Sequence, residues 1–291
     1  MYPIRTAGLF AARSFAALLL AACLAPAASA SATDSEAVYQ FSPVNQHNVQ
    51  ITASYWNPII DYVSQASGVT LRLKLGRTSA DTTSFVLAQE VDFAFTNHLF
   101  APERARMGWR VLARRTGAAV RSQIVTLAGS AVRDLKDLAD ADVAFPGPEA
   151  TVAYQVSHAE LQRRGIPVHV VFGGNMDGAF AQLISGKARA VGANSQLTAS
   201  FINRHRTPLR VLWQSAPFND LALMVSPRVP AATAEAVARA FTAMADDPRG
   251  RRVLADAAAL VKTAPFSFVP ADESDYESYR EFYGHVPAER R

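Results

Sequence analysis

Apolar positions along this chain follow two periods in alternation, and each switch marks a new element. "VYQFSPV" (38–44) reads as a short strand, and "VTLRLKL" (69–75) has the period of two that puts alternate side chains on one face of a strand. Between them, "SYWNPIIDYVSQAS" (54–67) sets Trp56, Ile59, Ile60 and Val63 on one helical face. Ser54 is placed to cap that helix, Pro58 fits only its first turn, and Gly68 ends it. "SADTTSFVLAQE" (79–90) predicts a second helix and "VDFAFT" (91–96) a buried strand. This opening reads β-α-β-α-β, the grammar of a parallel sheet with crossover helices.

A helix over "HLFAPERARMG" (98–108) precedes a strand, "RSQIVTLAG" (121–129), and the pattern then restarts. Strand "DVAF" (142–145), helix 149–164, strand "VHVVFG" (168–173), helix "MDGAFAQLIS" (176–185), strand "ARAVGAN" (188–194), helix 196–205 and strand "LRVLWQS" (209–215) follow. "LALMVS" (221–226) reads as a further strand, and the remainder is mostly helical, over 231–245, 249–260 and the aromatic tail "DYESYREFYGHV". Two α/β units in series predict a two-lobed α/β fold, each lobe a mainly parallel sheet flanked by helices. Lobe 1 is expected over 36–128 and 222–291 and lobe 2 over 129–221, with a hinge of two crossing segments. Such proteins bind ligands in the cleft, at the carboxyl ends of strands and the N-termini of helices, and the hinge permits closure.

Composition narrows the class. The chain is 49% hydrophobic and 19% charged, which suits a soluble globular protein. Its net charge of +4 is scattered and too small to argue for nucleic acid. Residues 1–30 read as an export leader: Arg5 and Arg13, an apolar run too short to span a membrane, and "ASA" ending at Ala30. "LAAC" (20–23) also fits a lipobox, in which Cys23 carries the lipid, so cleavage at Ala30 and lipidation at Cys23 both stand. Cys23 is the only cysteine, which removes disulfides, thiolate metal sites and a cysteine nucleophile from the body of the protein. The six histidines show no metal-ligand spacing, and no phosphate-binding or nucleophile-elbow motif is present. No metal, no cofactor and no catalytic residue is expected.

The candidate chemistry lies where strands turn into helices. "PGPEATVAY" (146–154) is such a junction, and a helix N-terminus offers about four unpaired amides and partial positive charge. It can cradle an anion through the backbone around Thr151, or Glu149 can neutralise the helix end while Thr151 caps it. "GGNMDG" (173–178) is a second junction, with Asn175 and Asp177 able to meet a ligand or to serve the helix, and Met176 read as core. Thr96, Asn97 and His98 follow a buried strand, and Asn194 ends another. Asn219 and Asp220 read as a turn, and Arg77 as a solvent-exposed arginine.

Five segments in order give the chain a resemblance. "YWNPIIDYVSQASGVTLRL", "EVDFAFTNHLF", "RSQIVTLAGSAVRDLKDLADADVAFPGPEA", "FGGNMDGAFAQLISGKARAVGAN" and "VLWQSAPFNDLALMVSPRVP" are similar to successive parts of the substrate-binding proteins of ABC transporters for phosphate, phosphite and phosphonate. The resemblance implies the periplasmic-binding-protein fold, a periplasmic location, and capture of a small oxyanion or polar solute for a membrane permease. It also implies a monomer and no enzymatic chemistry. In that family a Ser-Thr-Ser-Gly-like run opens the anion-binding helix. Here Thr151 matches the threonine, while Ala150 and Val152 stand in place of serines. Met176 stands where a histidine is usual. Thr96, Asn97 and His98 follow the strand that a tyrosine often closes, and Thr78 or Ser79 lies near the place of a second tyrosine. The ligand-binding residues expected are therefore Thr151, Ala150, Val152, Thr96, Asn97, His98, Asn175, Asp177, Asn194 and Ser79. A ligand sensor for a membrane kinase, or an enzyme on the same scaffold, are the alternatives.

Overall fold

The computed structural model describes residues 37–286. The expected leader, with its two possible fates at Ala30 and Cys23, lies outside the described residues.

The chain runs β1 (Val38–Pro43), α1 (Val49–Ser67), β2 (Thr70–Leu73), α2 (Asp81–Leu87), β3 (Phe93–Thr96), α3 (Pro102–Ala105), β4 (Arg110–Arg115) and β5 (Val120–Leu127). It continues with β6 (Ala141–Phe145), a π-helical turn (Thr151–Gln155) that leads into α4 (Val156–Arg163), β7 (Val168–Phe172), α5 (Met176–Ile184), β8 (Ala190–Asn194), α6 (Ser195–His205) and β9 (Leu209–Phe218). The last part holds β10 (Ala222–Val225), α7 (Ala231–Thr242), α8 (Pro248–Leu260), β11 (Phe268–Pro270) and α9 (Glu277–His285).

Two sheets result. One has the order β11-β4-β10-β3-β1-β2, the other β7-β6-β8-β5-β9. In the first, β1 runs parallel to β2 and β3, with Phe41 opposite Leu73 and Phe93, as the strand–helix alternation predicts. In the second, β6 runs parallel to β7 and β8. Each parallel core of three strands is then extended by antiparallel strands: β10, β4 and β11 in the first sheet, β5 and β9 in the second. The sheets are thus mixed where mainly parallel ones were expected. The strand expected at 121–129 pairs with β8 and β9, so it lies in the second sheet. The chain therefore crosses ahead of Val120, earlier than the boundary expected after 128, and crosses back between Phe218 and Ala222.

Helices cover both faces of each sheet. On one side of the first sheet, α1, α7 and α8 bury Trp56, Ile59, Val63, Val237, Phe241 and Leu254 against Phe41, Phe95 and Leu223. On the other side Tyr276, Tyr279 and Tyr283 pack with Val86, Ala94 and Met224. The aromatic tail is therefore core. Burial of one large apolar side chain stabilises by roughly 1.5–3 kcal/mol. In the second sheet, Phe180 and Phe201 stack beneath Val191 on one face, and Leu135, Leu138 and Tyr154 pack around Phe145 on the other.

Some local expectations change. Helix α1 starts at Val49, with the Asn48 side chain accepting from the Ile51 amide at 3.0 Å, so Ser54 does not cap it. Pro58 lies inside the helix on its exposed face, and Ser54, whose carbonyl loses its helical donor, is exposed as well. Gly68 ends it in the left-handed region as expected, φ 69°. Residues 98–108 form a short 3₁₀ turn and the four-residue α3, because Pro102 starts a new helix and cannot continue an old one.

Candidate functional site

The carboxyl ends of β1, β3, β6, β7 and β8 meet between the lobes, and the loops that leave them close on one another. Across the gap the Ser79 amide donates to the Gly174 carbonyl at 2.7 Å, and the Met176 amide to the Gln46 carbonyl at 3.2 Å. Asp177, on α5, accepts from the Asn48 amide at 3.0 Å and lies 3.4 Å from the His47 ring. It also takes a 2.6 Å ion pair from Arg204. Burial alone raises its pKa, but the hydrogen bonds from His47 and Arg204 outweigh that and hold the carboxyl well below the usual range. Glu149 pairs with Arg104 at 2.5 Å, from the second lobe to α3 of the first. The cleft is closed.

Behind these contacts lies a cavity of about 40 Å³, room for roughly three waters. Its second-lobe wall is the start of the helix at Thr151. Ala150 stands at the N-cap and supplies no side-chain cap. The first hydrogen bonds of the helix run from the Tyr154 and Gln155 amides to the Ala150 carbonyl, at 2.7 and 3.2 Å. The amides of Thr151, Val152 and Ala153 precede them, and all three residues line the cavity. Thr151 does not cap the helix: its hydroxyl meets the Tyr283 hydroxyl at 3.0 Å, which in turn donates to Gln155 at 2.9 Å. Glu149 is turned to Arg104. The π-turn rests on β8 at Gly192, where a Cβ would lie 2.4 Å from the Ala153 carbonyl and 2.3 Å from Phe145.

The first-lobe wall comes from loops after β1, β2 and β3. Asn45 is 1% exposed and donates through Nδ2 to the Gly76 carbonyl at 2.5 Å, while its Oδ1 has no partner. Ser79, 2% exposed, lines the cavity with its hydroxyl also unpartnered. The loop that carries it is held by Asp81, which accepts from the amides of Arg77 and Thr78 and from the Thr78 hydroxyl. Gly76 permits this, since a Cβ there would meet Asp81 at 2.0 Å. Asn97 donates through Nδ2 to the Tyr279 hydroxyl at 2.9 Å, and Tyr279 passes its own proton to the Asn219 carbonyl at 2.7 Å. His98 meets the Thr83 hydroxyl at 3.0 Å. Burial, with Arg104 nearby, pushes the His98 pKa down to about 3, so the imidazole is neutral.

Seven expected residues therefore line one cavity: Ala150, Thr151, Val152, Ser79, Asn97, His98 and Asn194. Asn194 also caps α6 by accepting from the Leu197 amide at 2.8 Å, which leaves its NH₂ for a solute. The other three are committed elsewhere. The Thr96 hydroxyl accepts from the His98 amide at 3.0 Å and shapes the turn. Asn175 caps α5 through the Gly178 amide at 2.9 Å, and Asp177 fastens the lobes. Met176, read as core, is buried and lines the cavity as well. Val44, Asn45 and Gln46 were not singled out from sequence. They follow β1 as Asn97 and His98 follow β3, and the same end-of-strand rule applies to them. No arginine or lysine lines this cavity. Arg77 is exposed, and Arg115 is engaged by Asp220 and by the Tyr55 hydroxyl at 3.0 Å. Among the described residues no group of acidic, histidine or cysteine side chains is placed to hold a metal.

Residues 41–276 match the family model described as an ABC transporter, phosphonate, periplasmic substrate-binding protein. Solved structures share the fold. The binding protein component of an ABC phosphonate transporter from Pseudomonas aeruginosa superposes with a TM-score of 0.72 at 14% identity, over 88% of this chain and 92% of that one. PhnD1 from Prochlorococcus marinus, in complex with methylphosphonate, gives 0.72 at 14% identity over 84% and 96%. XAC2383 from Xanthomonas citri, bound to ATP, gives 0.64 at 16% over 85% and 96%. No curated protein matches by sequence.

Proposed function

The chain belongs to the periplasmic substrate-binding proteins of phosphonate ABC transporters, and from that premise we propose that it captures a compact oxyanion of the phosphonate and phosphate type in the cavity between its lobes. The family is one of solute binders that deliver to a membrane permease, not of enzymes. The lobes act as jaws: the solute enters an open cleft, and closure surrounds it with groups from both sides. The protein works outside the cytoplasm as a monomer, with Cys23 available as a lipid anchor if the leader is processed there.

One observation carries the ligand class. The helix at Thr151 begins buried and without a side-chain cap, and the residues that carry its leading amides line the cavity. An anion gains roughly 0.3–2 kcal/mol from the helix dipole and about 1.5–3 kcal/mol from each charge-assisted hydrogen bond. Three amides and the Ser79 hydroxyl supply most of the roughly 8 kcal/mol that micromolar affinity requires.

Thermal unfolding with methylphosphonate, phosphite and phosphate tests this reading. A bound anion at a hundredfold excess over its dissociation constant stabilises the fold by about 2.7 kcal/mol. Ser79→Ala is expected to weaken binding by about tenfold, read by calorimetry. No stabilisation by any of the three anions at millimolar concentration overturns the reading.

A further inference from the structure

The two walls of the cavity differ in the hydrogen-bonding roles they offer. The second lobe gives donors, the amides of Thr151, Val152 and Ala153. The first lobe adds the Ser79 hydroxyl, which can donate or accept, and two groups whose sense is fixed as acceptors. At Asn45 the amide orientation is fixed, because the atom 2.5 Å from the Gly76 carbonyl must be the nitrogen; a carbonyl oxygen there would face another oxygen. The buried, unpartnered atom is then Oδ1, which can only accept. Asn97 is fixed the same way. The Tyr279 proton goes to the Asn219 carbonyl, so the Tyr279 oxygen accepts from Asn97 Nδ2 and leaves Asn97 with an acceptor too. A fully deprotonated tetrahedral anion satisfies the amides and faces Asn45 Oδ1 with a lone pair.

We propose that the cavity selects a compact tetrahedral oxyacid that keeps one acid proton, its oxyanion oxygens on the helix amides and its P–O–H donating to Asn45. This rests on the oxyanion reading above and makes it narrower. The volume of about 40 Å³ favours the acid hydroxyl over a longer amino arm as the source of the donor. A site built around a ligand hydroxyl rejects the analogue that lacks it, because its own buried polar atom is left unpaired.

Calorimetry with two ligands of the same shape tests the assignment. At pH 6, methylphosphonate retains a P–OH, whereas methanesulfonate carries the same single charge and no proton. The purified chain is expected to bind methylphosphonate at least about tenfold more tightly than methanesulfonate. That preference is expected to shrink at pH 9, where the second phosphonate proton is lost. The ionisable groups around the cavity are His98 on its wall, the Glu149–Arg104 pair, Asp81 beneath the Ser79 loop, and the His47–Asp177–Arg204 cluster at the closure. Methanesulfonate does not titrate, so its affinity at the two pH values reports any change in these. Asn45→Leu is expected to bring the two ligands within about threefold at pH 6. Equal binding of both ligands by the unaltered protein overturns the proposal and leaves the oxyanion reading intact. So does methylphosphonate binding more tightly at pH 9, or an aminoalkylphosphonate whose tighter binding ignores pH. Silence from both ligands, and from phosphite and phosphate, overturns both readings, whatever the fate of the Asn45 variant.

Discussion

His98 shows how one buried side chain sets a pH dependence. Burial, with Arg104 nearby, pushes its pKa down to about 3 in the folded protein, against 6.5 for a free imidazole in the unfolded chain. Between those values the unfolded chain binds a proton that the folded chain does not, so stability rises with pH across that window and falls on acidification. The slope from this group is about 1.4 kcal/mol per pH unit below pH 6.5. His98→Gln is expected to flatten the loss of stability between pH 6 and pH 4, measured by denaturant unfolding at each pH. An unchanged slope removes His98 as the cause. The residue scale is also where sequence reading was weakest. Strand ends pointed to Asn97, His98 and Asn194, and the helix start to Thr151, but not to the direction each side chain takes. Thr151 turns to Tyr283, 132 residues away, and Asn175 to its own helix. Such choices depend on partners that only tertiary packing brings close.

At the scale of elements, the turn at Thr151–Gln155 forms the second-lobe wall of the cavity. It is wider than an α-helical turn and nests against Gly192 of β8, where no side chain fits. Gly192→Ala is expected to push this turn away from the strand and weaken anion binding by at least about tenfold, with a smaller effect from Tyr283→Phe, which removes only the hydroxyl behind Thr151. Anion affinity within twofold of the parent for Gly192→Ala, by calorimetry, contradicts that. Most elements were legible from period alone, because β1 to β3 and β6 to β8 carry continuous or alternating apolar runs joined by amphipathic helices. β4 and β11 were missed for physical reasons. "RVLARR" is short and half charged, and β11 has three residues. Both owe their strand conformation to antiparallel partners distant in sequence.

For the whole molecule, closure depends on a few contacts made only when the lobes meet. Asp177 is central, since it joins α5 to His47 and the Asn48 amide of the first lobe while Arg204 steadies it. Asp177→Asn is expected to favour the open form, with a larger radius of gyration in solution scattering and a several-fold weaker ligand affinity. A radius unchanged from the parent argues against the latch. The two-lobed plan itself was evident from the restart of the strand–helix alternation. The crossing point was not, because β5 has the same apolar pattern in either sheet. The lack of lysine and arginine around the cavity has a consequence for the environment in which the protein works. Ions in solution weaken attraction between exposed charges. On the proposed reading the solute is held by backbone dipoles and a hydroxyl rather than by side-chain charges, so nearly the same tightness is expected in fresh water and in brine.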